Sequence, residues 1–437
     1  MSQELNWIQT LPNGWIAIPL KAIANYFVSN VDKVSKEEEI PVELCNYTDV
    51  YKNDFITTQL EFMQSSATEE EIRKFQLAVG DVVITKDSES WDDIAIPALV
   101  AETKENLLCG YHLAIIRSNL NKVVPEYLFR CIEAKVIRVQ LELSSTGVTR
   151  FGLPKDEIGR LKLPIPDIFV QRKVVSFLKS EISYIDRLIT QKEKLINILA
   201  EKRQAFITQV VIRGLDSSIK LKDSTIYWLG KVPEHWEIKK IKYITSKIGS
   251  GVTPKGGATV YLDEGIPLLR SQNIHFDGLR LEDVAFISEE THNEMSNSKV
   301  RAGDVLLNIT GASIGRCYFY EGQLGEANVN QHVCILRPNR KVHTKYLYLL
   351  MTSTIGQSQI DLNQVGGGRE GLTFDSLKSF TVSLPPISEQ MEIINVVEKH
   401  NSKFNEIEVA TRKTVDLLRE RRVALISAAV TGQIEIQ

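Results

Sequence analysis

The nine residues from Leu199 to Ile207, LAEKRQAFI, return 219 positions later as LRERRVALI from Leu418 to Ile426. The same offset carries Gln171 onto Gln390, Pro166 onto Pro385, Gly152-Leu153 onto Gly371-Leu372, Arg150 onto Arg369 and Tyr127-Leu128 onto Tyr346-Leu347. So long a register makes the chain a tandem of two similar units. Short repeats stack into solenoids and need three or more copies. Two units of roughly 200 residues each instead predict two pseudo-symmetric domains with two related surfaces.

Each unit reads as a mixed α/β domain followed by one long helix. The domains open at Leu11-Pro12-x-x-Trp15 and Val232-Pro233-x-x-Trp236 and continue into short β-like runs broken by Gly, Asn, Asp and Pro. Both carry Gly-Asp before an apolar strand, at Gly80-Asp81 and Gly303-Asp304, and a later strand that starts at His112 or His332. Both close on a proline segment, Leu163-Pro164-Ile165-Pro166 and Leu384-Pro385-Pro386-Ile387.

From Gln171 to Val211 there is neither Pro nor Gly, and Leu178, Ile185, Leu199 and Phe206 lie on a seven-residue spacing flanked by Ile182, Ile189 and Ile196. This is a coiled-coil seam. A helix of this length is a rod of roughly 60 Å. The partner stretch from Gln390 to Val430 carries a weaker stripe through Val397, Phe404, Val415, Leu418 and Leu425. The two rods are expected to pack on each other, with Lys192, Arg203, Asn401, Glu408 and Arg422 as solvated positions or register devices. The expected segments are 1–168, a helix at 169–213, 214–386 and a helix at 387–437.

Composition narrows the class. No run approaches the roughly 20 apolar residues of a membrane span, and MSQELNWIQT lacks the basic-then-apolar order of a signal peptide, so a cytoplasmic protein without membrane contact is expected. Five cysteines without a C-x-x-C pair, Cys45, Cys109, Cys131, Cys317 and Cys334, indicate buried thiols and no metal site. Residues 1–170 hold 17 basic against 25 acidic residues, a net of −8, whereas 171–213 are basic.

No catalytic constellation stands out: there is no phosphate loop, H-E-x-x-H, G-x-S-x-G or strand-borne G-x-G-x-x-G. Leu384-Pro385-Pro386-Ile387 lacks the polar residue of an amino-methyltransferase loop. The loops offer donors instead. In the second unit Lys247, Ser250, Thr253 and Lys255 lie on a Gly-rich turn suited to phosphates. Arg270, Gln272, Asn273, Asn308, Thr310, Ser313, Arg316, Asn330, Gln331 and His332 follow, and Arg369 sits beside three glycines. Arg, Asn and Gln are the side chains that pair with guanine and adenine edges. The corresponding places of the first unit hold Lys86, Ser88, Trp91, Tyr111, His112, Ser144, Ser145, Thr146, Thr149 and Arg150, of which only His112 and Arg150 repeat in kind. Together these loops give two frames with distinct polar surfaces.

With the Pro-x-x-Trp openings, Gly251-x-Thr253-Pro254, the Gly-Asp strands, Pro385-Pro386-Ile387-x-x-Gln390 and the paired Leu-x-Glu-x-Arg-x-Ala-x-Ile helices, the chain resembles the specificity (S) subunit of type I restriction-modification systems over its whole length. The resemblance implies an α+β architecture, with two target recognition domains separated by two long helices packed as an antiparallel coiled coil. It also implies that each domain reads half of a bipartite, asymmetric site in double-stranded DNA, for which two similar frames with different polar loops are suited. A self-contained DNA methyltransferase or nuclease and a structural adaptor whose domains bind protein are the competing readings. The helices would set the unread spacer and dock two methylation (M) subunits. No cofactor is then expected in this chain: S-adenosylmethionine belongs to the M subunits, and ATP with Mg to restriction (R) subunits. The first unit departs from the pattern, with Val28-Ser29-Asn30-Val31 where the second has Gly-x-Thr-Pro.

Overall fold

The computed structural model describes residues 6–254, 256–364 and 371–436. Lys255 and Arg369, two candidate contacts, lie outside the described residues. The chain divides into two compact units, 1–193 with 412–437 and 194–411. The long helices, Ile168–Arg213 and Ile387–Val430, contain the stretches expected from their periodicity. They do not stand as segments of their own, because each contributes one half to either unit.

The two units repeat one sheet plan. In the first, a sheet orders Ala24–Val28, Leu113–Ser118, Val82–Thr85, Pro97–Val100 and Phe55–Ile56, beside a three-stranded sheet of Met63–Ala67, Ile40–Cys45 and Leu107–Cys109. In the second, Thr245–Ser250, Val333–Pro338, Val305–Asn308 and Cys317–Phe319 form the first sheet, and Ala285–Ile287, Ile266–Leu269 and Asn328–Val329 the other. The central strands Val82–Thr85 and Val305–Asn308 are buried on both faces, which is why they read as unbroken apolar runs.

The repeated motifs have structural causes. Gly80 and Gly303 take φ of +91° and +94°, turning the chain so that Asp81 and Asp304 enter the core. There each carboxylate meets an arginine of the neighbouring strand at two points: Asp81 with Arg117 at 2.8 and 2.7 Å, Asp304 with Arg337 at 2.7 and 2.8 Å. Such forked pairs offset the desolvation of a buried charge. Gln171 and Gln390, fully buried, tie the long helices to the domains. Gln171 accepts from Val124 N–H at 2.8 Å and donates to the carbonyls of Lys122 and Pro166; Gln390 accepts from His343 N–H at 2.8 Å and donates to Lys341 and Pro385. The opening tryptophans cover the glycines that follow the helices. A Cβ on Gly432 would stand 3.3 Å from the Trp15 ring, and one on Gly214 would stand 3.2 Å from Trp236.

Within each unit the helix halves run antiparallel. In the first, Arg419 meets Glu193 at 2.8 Å and Arg422 meets Asp186 at 3.2 Å; in the second, Phe206 stacks on His400 and Arg203 reaches Asn405. Leu178, Ile182, Ile185, Leu199, Val397 and Val415 are buried, and Ile189, Ile196, Phe206, Phe404, Leu418 and Leu425 are half-buried. Each fully covered Leu or Ile contributes about 1.5–3 kcal/mol. Arg203 and Arg422 correct the expectation of solvated positions: both are drawn inside their units by polar partners. All five thiols are buried and free, and burial pushes that of Cys334 up to about 12.

Candidate nucleic-acid interface

Both units build the same hydrogen-bonded root for their variable loops. The carbonyl of His112 accepts from Lys86 N–H at 2.8 Å, and that of His332 accepts from Ile309 N–H at 2.9 Å. The carbonyls of Lys86 and Ile309 in turn accept from Leu153 and Leu372, each at 2.9 Å. One residue further on, Asp87 pairs with Gly152 and Thr310 with Gly371. The frame therefore sets an imidazole against the side chain of Asp87 in one unit and of Thr310 in the other.

In the first unit the result is a basic cluster around one carboxylate. Asp87 Oδ2 lies 2.9 Å from both Lys86 Nζ and His112 Nδ1, and Arg150 Nη2 is 3.0 Å from the imidazole nitrogens. Partial burial works against the Asp87 charge, yet hydrogen bonds from His112 and Lys86 outweigh it and hold the carboxyl below its usual range. Tyr111 packs on His112 with centroids 3.6 Å apart. Thr146, Thr149 and Arg150 are exposed on the loop, while Ser144 and Ser145 donate to the helix carbonyls of Gln140 and Glu142. The loop turns at Gly147, φ +145°, where a Cβ would stand 1.9 Å from Arg150 O, so only glycine fits. Trp91 is about half exposed, with Lys135 Nζ 5.9 Å from its ring centre. Ser88 is a correction: it is buried, accepting from Tyr47 Oη and Ser90 N–H.

In the second unit His332 Nδ1 meets Thr310 Oγ1, and Gln331 Nε2 lies 2.9 Å from His332 Nε2. Ser313 and Arg316, on the turn after Thr310, are half-exposed. Arg270 donates to Asp283 O at 3.1 Å under the ring of Tyr261, and Gln272 donates to the same aspartate's Oδ2 at 2.5 Å. The Gly-x-Thr-Pro element owes its glycine to a close approach. A Cβ on Gly251 would stand 1.6 Å from Val329 O, and Gly251 N–H donates to Asn330 O at 3.1 Å. Thr253 is exposed beyond it, and Ser250 donates to Gly251 O. Lys247 is half-buried and donates to Asn297 O at 2.5 Å; burial, with Arg337 nearby, lowers its pKa.

Three more expected contacts face inward. Asn273 closes the turn from Arg270 and donates to Arg280 O and Asp283 O. Asn308 donates to Ser271 O and Ser313 Oγ, and Asn330 accepts from His332 N–H. All three are buried and brace the loops, so none presents an amide to a base edge. Residue type alone overlooked Asp87, whose carboxylate orients Lys86 and His112, and Asp283, which holds Gln272 by its carboxylate and Arg270 chiefly by its backbone carbonyl. For Asp87 its place next to Lys86 was the available signal; Asp283, 13 and 11 residues from Arg270 and Gln272, gave none.

Among the described residues no helix is long and apolar enough to cross a membrane. Residues 233–416 match the family model described as type I restriction modification DNA specificity domain. The chain is 21% identical to the type I restriction enzyme EcoKI specificity subunit of Escherichia coli over 98% of its own length and 90% of that protein's. It is 23% identical to the MjaVIII specificity subunit of Methanocaldococcus jannaschii over 72% of each. Its fold is shared with a chain solved in work on complex assembly and conformational transition of the type I R-M system, with a TM-score of 0.72 and 17% identity over 97% of this chain and 99% of that one. The HsdS subunit from Thermoanaerobacter tengcongensis gives 0.53 and 16% over 97% and 98%.

Proposed function

We propose that this chain, similar over nearly its whole length to a specificity subunit of a type I restriction enzyme, is the DNA-reading subunit of such a complex, each unit recognising one half of a bipartite site. One observation carries this reading. The loop roots repeat hydrogen bond for hydrogen bond, while the side chains they hold differ: Lys86, Asp87 and Tyr111 in one unit, Ile309, Thr310 and Gln331 in the other. A shared frame with unlike donors and acceptors is what two unlike half-sites require.

In this reading Lys86, His112 and Arg150 face phosphates or guanine edges, and Thr146 and Thr149 hydrogen-bond along the backbone. In the second unit Thr253, Thr310, Ser313, Arg316 and Gln331 take these roles, with Lys255 and Arg369 from outside the described residues. The first unit's acidic balance disfavours tight binding by the subunit alone, since phosphate neutralisation dominates affinity. Two M subunits with S-adenosylmethionine complete the clamp, and R subunits with ATP and Mg carry out cleavage, all in the cytoplasm.

The test is adenine methylation mapped genome-wide in cells that carry this chain and its partner subunits. A bipartite motif is expected, and exchanging loops 86–91 and 144–152 should change one half only. A single uninterrupted motif, or labelled S-adenosylmethionine bound by the purified chain itself, would overturn the reading.

A further inference from the structure

The two units part company where an arginine of the long helix meets the domain in front of it. Arg422 and Arg203 are equivalent positions of the repeat. Arg422 is held by three carboxylates of its unit, Asp54 at 2.5 Å, Glu133 at 2.8 Å and Asp186 at 3.2 Å. The residue after Asp54, Phe55, sets its ring 5.7 Å from the buried ring of Phe129. A consecutive carboxylate and aromatic ring thus cover the arginine and the ring beside it.

In the second unit each partner is altered. Thr352 stands for Glu133, Asn405 for Asp186 and Tyr348 for Phe129. Against the strand Cys317–Phe319, where the first unit's plan has Phe55–Ile56, lies a hairpin of Ile274–His275 and Gly278–Leu279. Its Asp277 turns to its own Arg280 at 2.9 Å. Arg203 is left with Asn405 at 2.5 Å and Glu408 at 3.9 Å, and its Nε is buried without a hydrogen-bond partner among the described residues. In front of it opens a groove of about 890 Å³, walled by the rings of Phe276, Tyr318, Phe319 and Tyr348. Asn401, on the same wall, has a buried Oδ1 that also lacks a partner among the described residues. An unmet donor and an unmet acceptor in an aromatic groove of ligand size mark a complement still to be supplied.

We propose that this groove docks a segment of a partner protein in which an acidic residue is followed by an aromatic one. The carboxylate takes the place on Arg203 that Asp54 takes on Arg422. The ring takes the place against Tyr348 that Phe55 takes against Phe129, and a backbone N–H of the segment serves Asn401 Oδ1. Four carboxylates line the groove. Asp277 and Glu398 are exposed and already paired with Arg280 and Lys345, Asp361 accepts from Gln364, and Glu408 stands 3.9 Å from Arg203, beyond hydrogen-bond reach; exposed charges are screened by salt. The inference stands independently of the DNA-reading role.

The first unit's own segment is the probe: a capped peptide of residues 52–57, Lys-Asn-Asp-Phe-Ile-Thr, titrated into the full chain by calorimetry. Saturable one-to-one binding is expected, weakened at least tenfold in peptides carrying Asp54→Asn or Phe55→Ala. Thr352→Glu, which rebuilds beside Arg203 the carboxylate of the first unit, should weaken it to a similar degree, as should Arg203→Gln in protein whose thermal melt matches wild type. Absence of saturable binding overturns the proposal. So does equal binding of the substituted peptides, or undiminished binding to the Thr352→Glu chain.

Discussion

Asp87 Oδ2 holds His112 Nδ1 at 2.9 Å, and the same carboxylate draws in Lys86, so one acidic side chain organises two candidate DNA-facing side chains. A pH dependence follows, with its sign set by the depressed pKa of Asp87. A carboxyl that is more acidic folded than unfolded stabilises the fold above its unfolded value, and the stabilisation is lost as pH falls through the native one. Thermal melts of wild type and Asp87→Asn should therefore differ at about pH 6, begin to converge below the usual carboxylate value of about 3.9 and meet as pH falls through the lower native value. A gap that stays constant across this range would remove Asp87 as the organiser.

Arg150 is exposed at the end of its loop with its guanidinium against the His112 ring. In the assembled complex Arg150→Ala should weaken DNA binding by about 1–3 kcal/mol. A salt slope lower by about 1 would assign it to phosphate, and relaxed preference at one base pair of one half-site to an edge. Anisotropy titrations at several salt concentrations distinguish these, and an unaltered affinity and slope would exclude the residue.

Gln171 and Gln390 each satisfy three backbone groups at the junction of helix and domain. Replacement by Ala leaves buried donors and acceptors unpaired and should cost about 2–3 kcal/mol in either unit. The losses should be local. Hydrogen exchange should speed at Val124 N–H in Gln171→Ala and at His343 N–H in Gln390→Ala. Exchange that speeds equally at both amides in both variants would contradict independent anchoring.

If the long helices act as a ruler, inserting four residues after Lys192 and four after Lys413 adds about 6 Å of helix, close to two base-pair steps. Methylation mapping should return the same half-sites with a longer unread spacer. Altered half-site bases over an unchanged spacer would refute the ruler.

Much of the fold was legible because its signals are local or periodic. The stripe from Leu178 to Phe206 sets both the extent and the buried face of its helix, and Gly80-Asp81 marks a turn whose cause is a single positive φ. The site was less legible. Asn273, Asn308 and Asn330 are the residue types that contact bases, yet all three point inward, and composition does not distinguish an amide that braces a loop from one that faces solvent. The setting of Arg422 was hidden for another reason. Its partner Asp54 lies 368 residues away, beyond the reach of any motif.

The division of the chain into 1–193 with 412–437 and 194–411 has a consequence for biosynthesis. The second unit is continuous and complete once residue 411 has emerged, whereas the first waits for Ile426, Ala429 and Val430 to finish its core and for the Val430 carbonyl to accept from Tyr127. At about 5–20 residues per second, that wait after residue 193 lasts on the order of tens of seconds. During it the earlier-made domain exposes an apolar face to chaperones and to neighbouring chains on the same message. The order of synthesis is thus the reverse of the order of completion, and a ribosome that stalls near residue 411 would release a finished second half joined to an unfinished first.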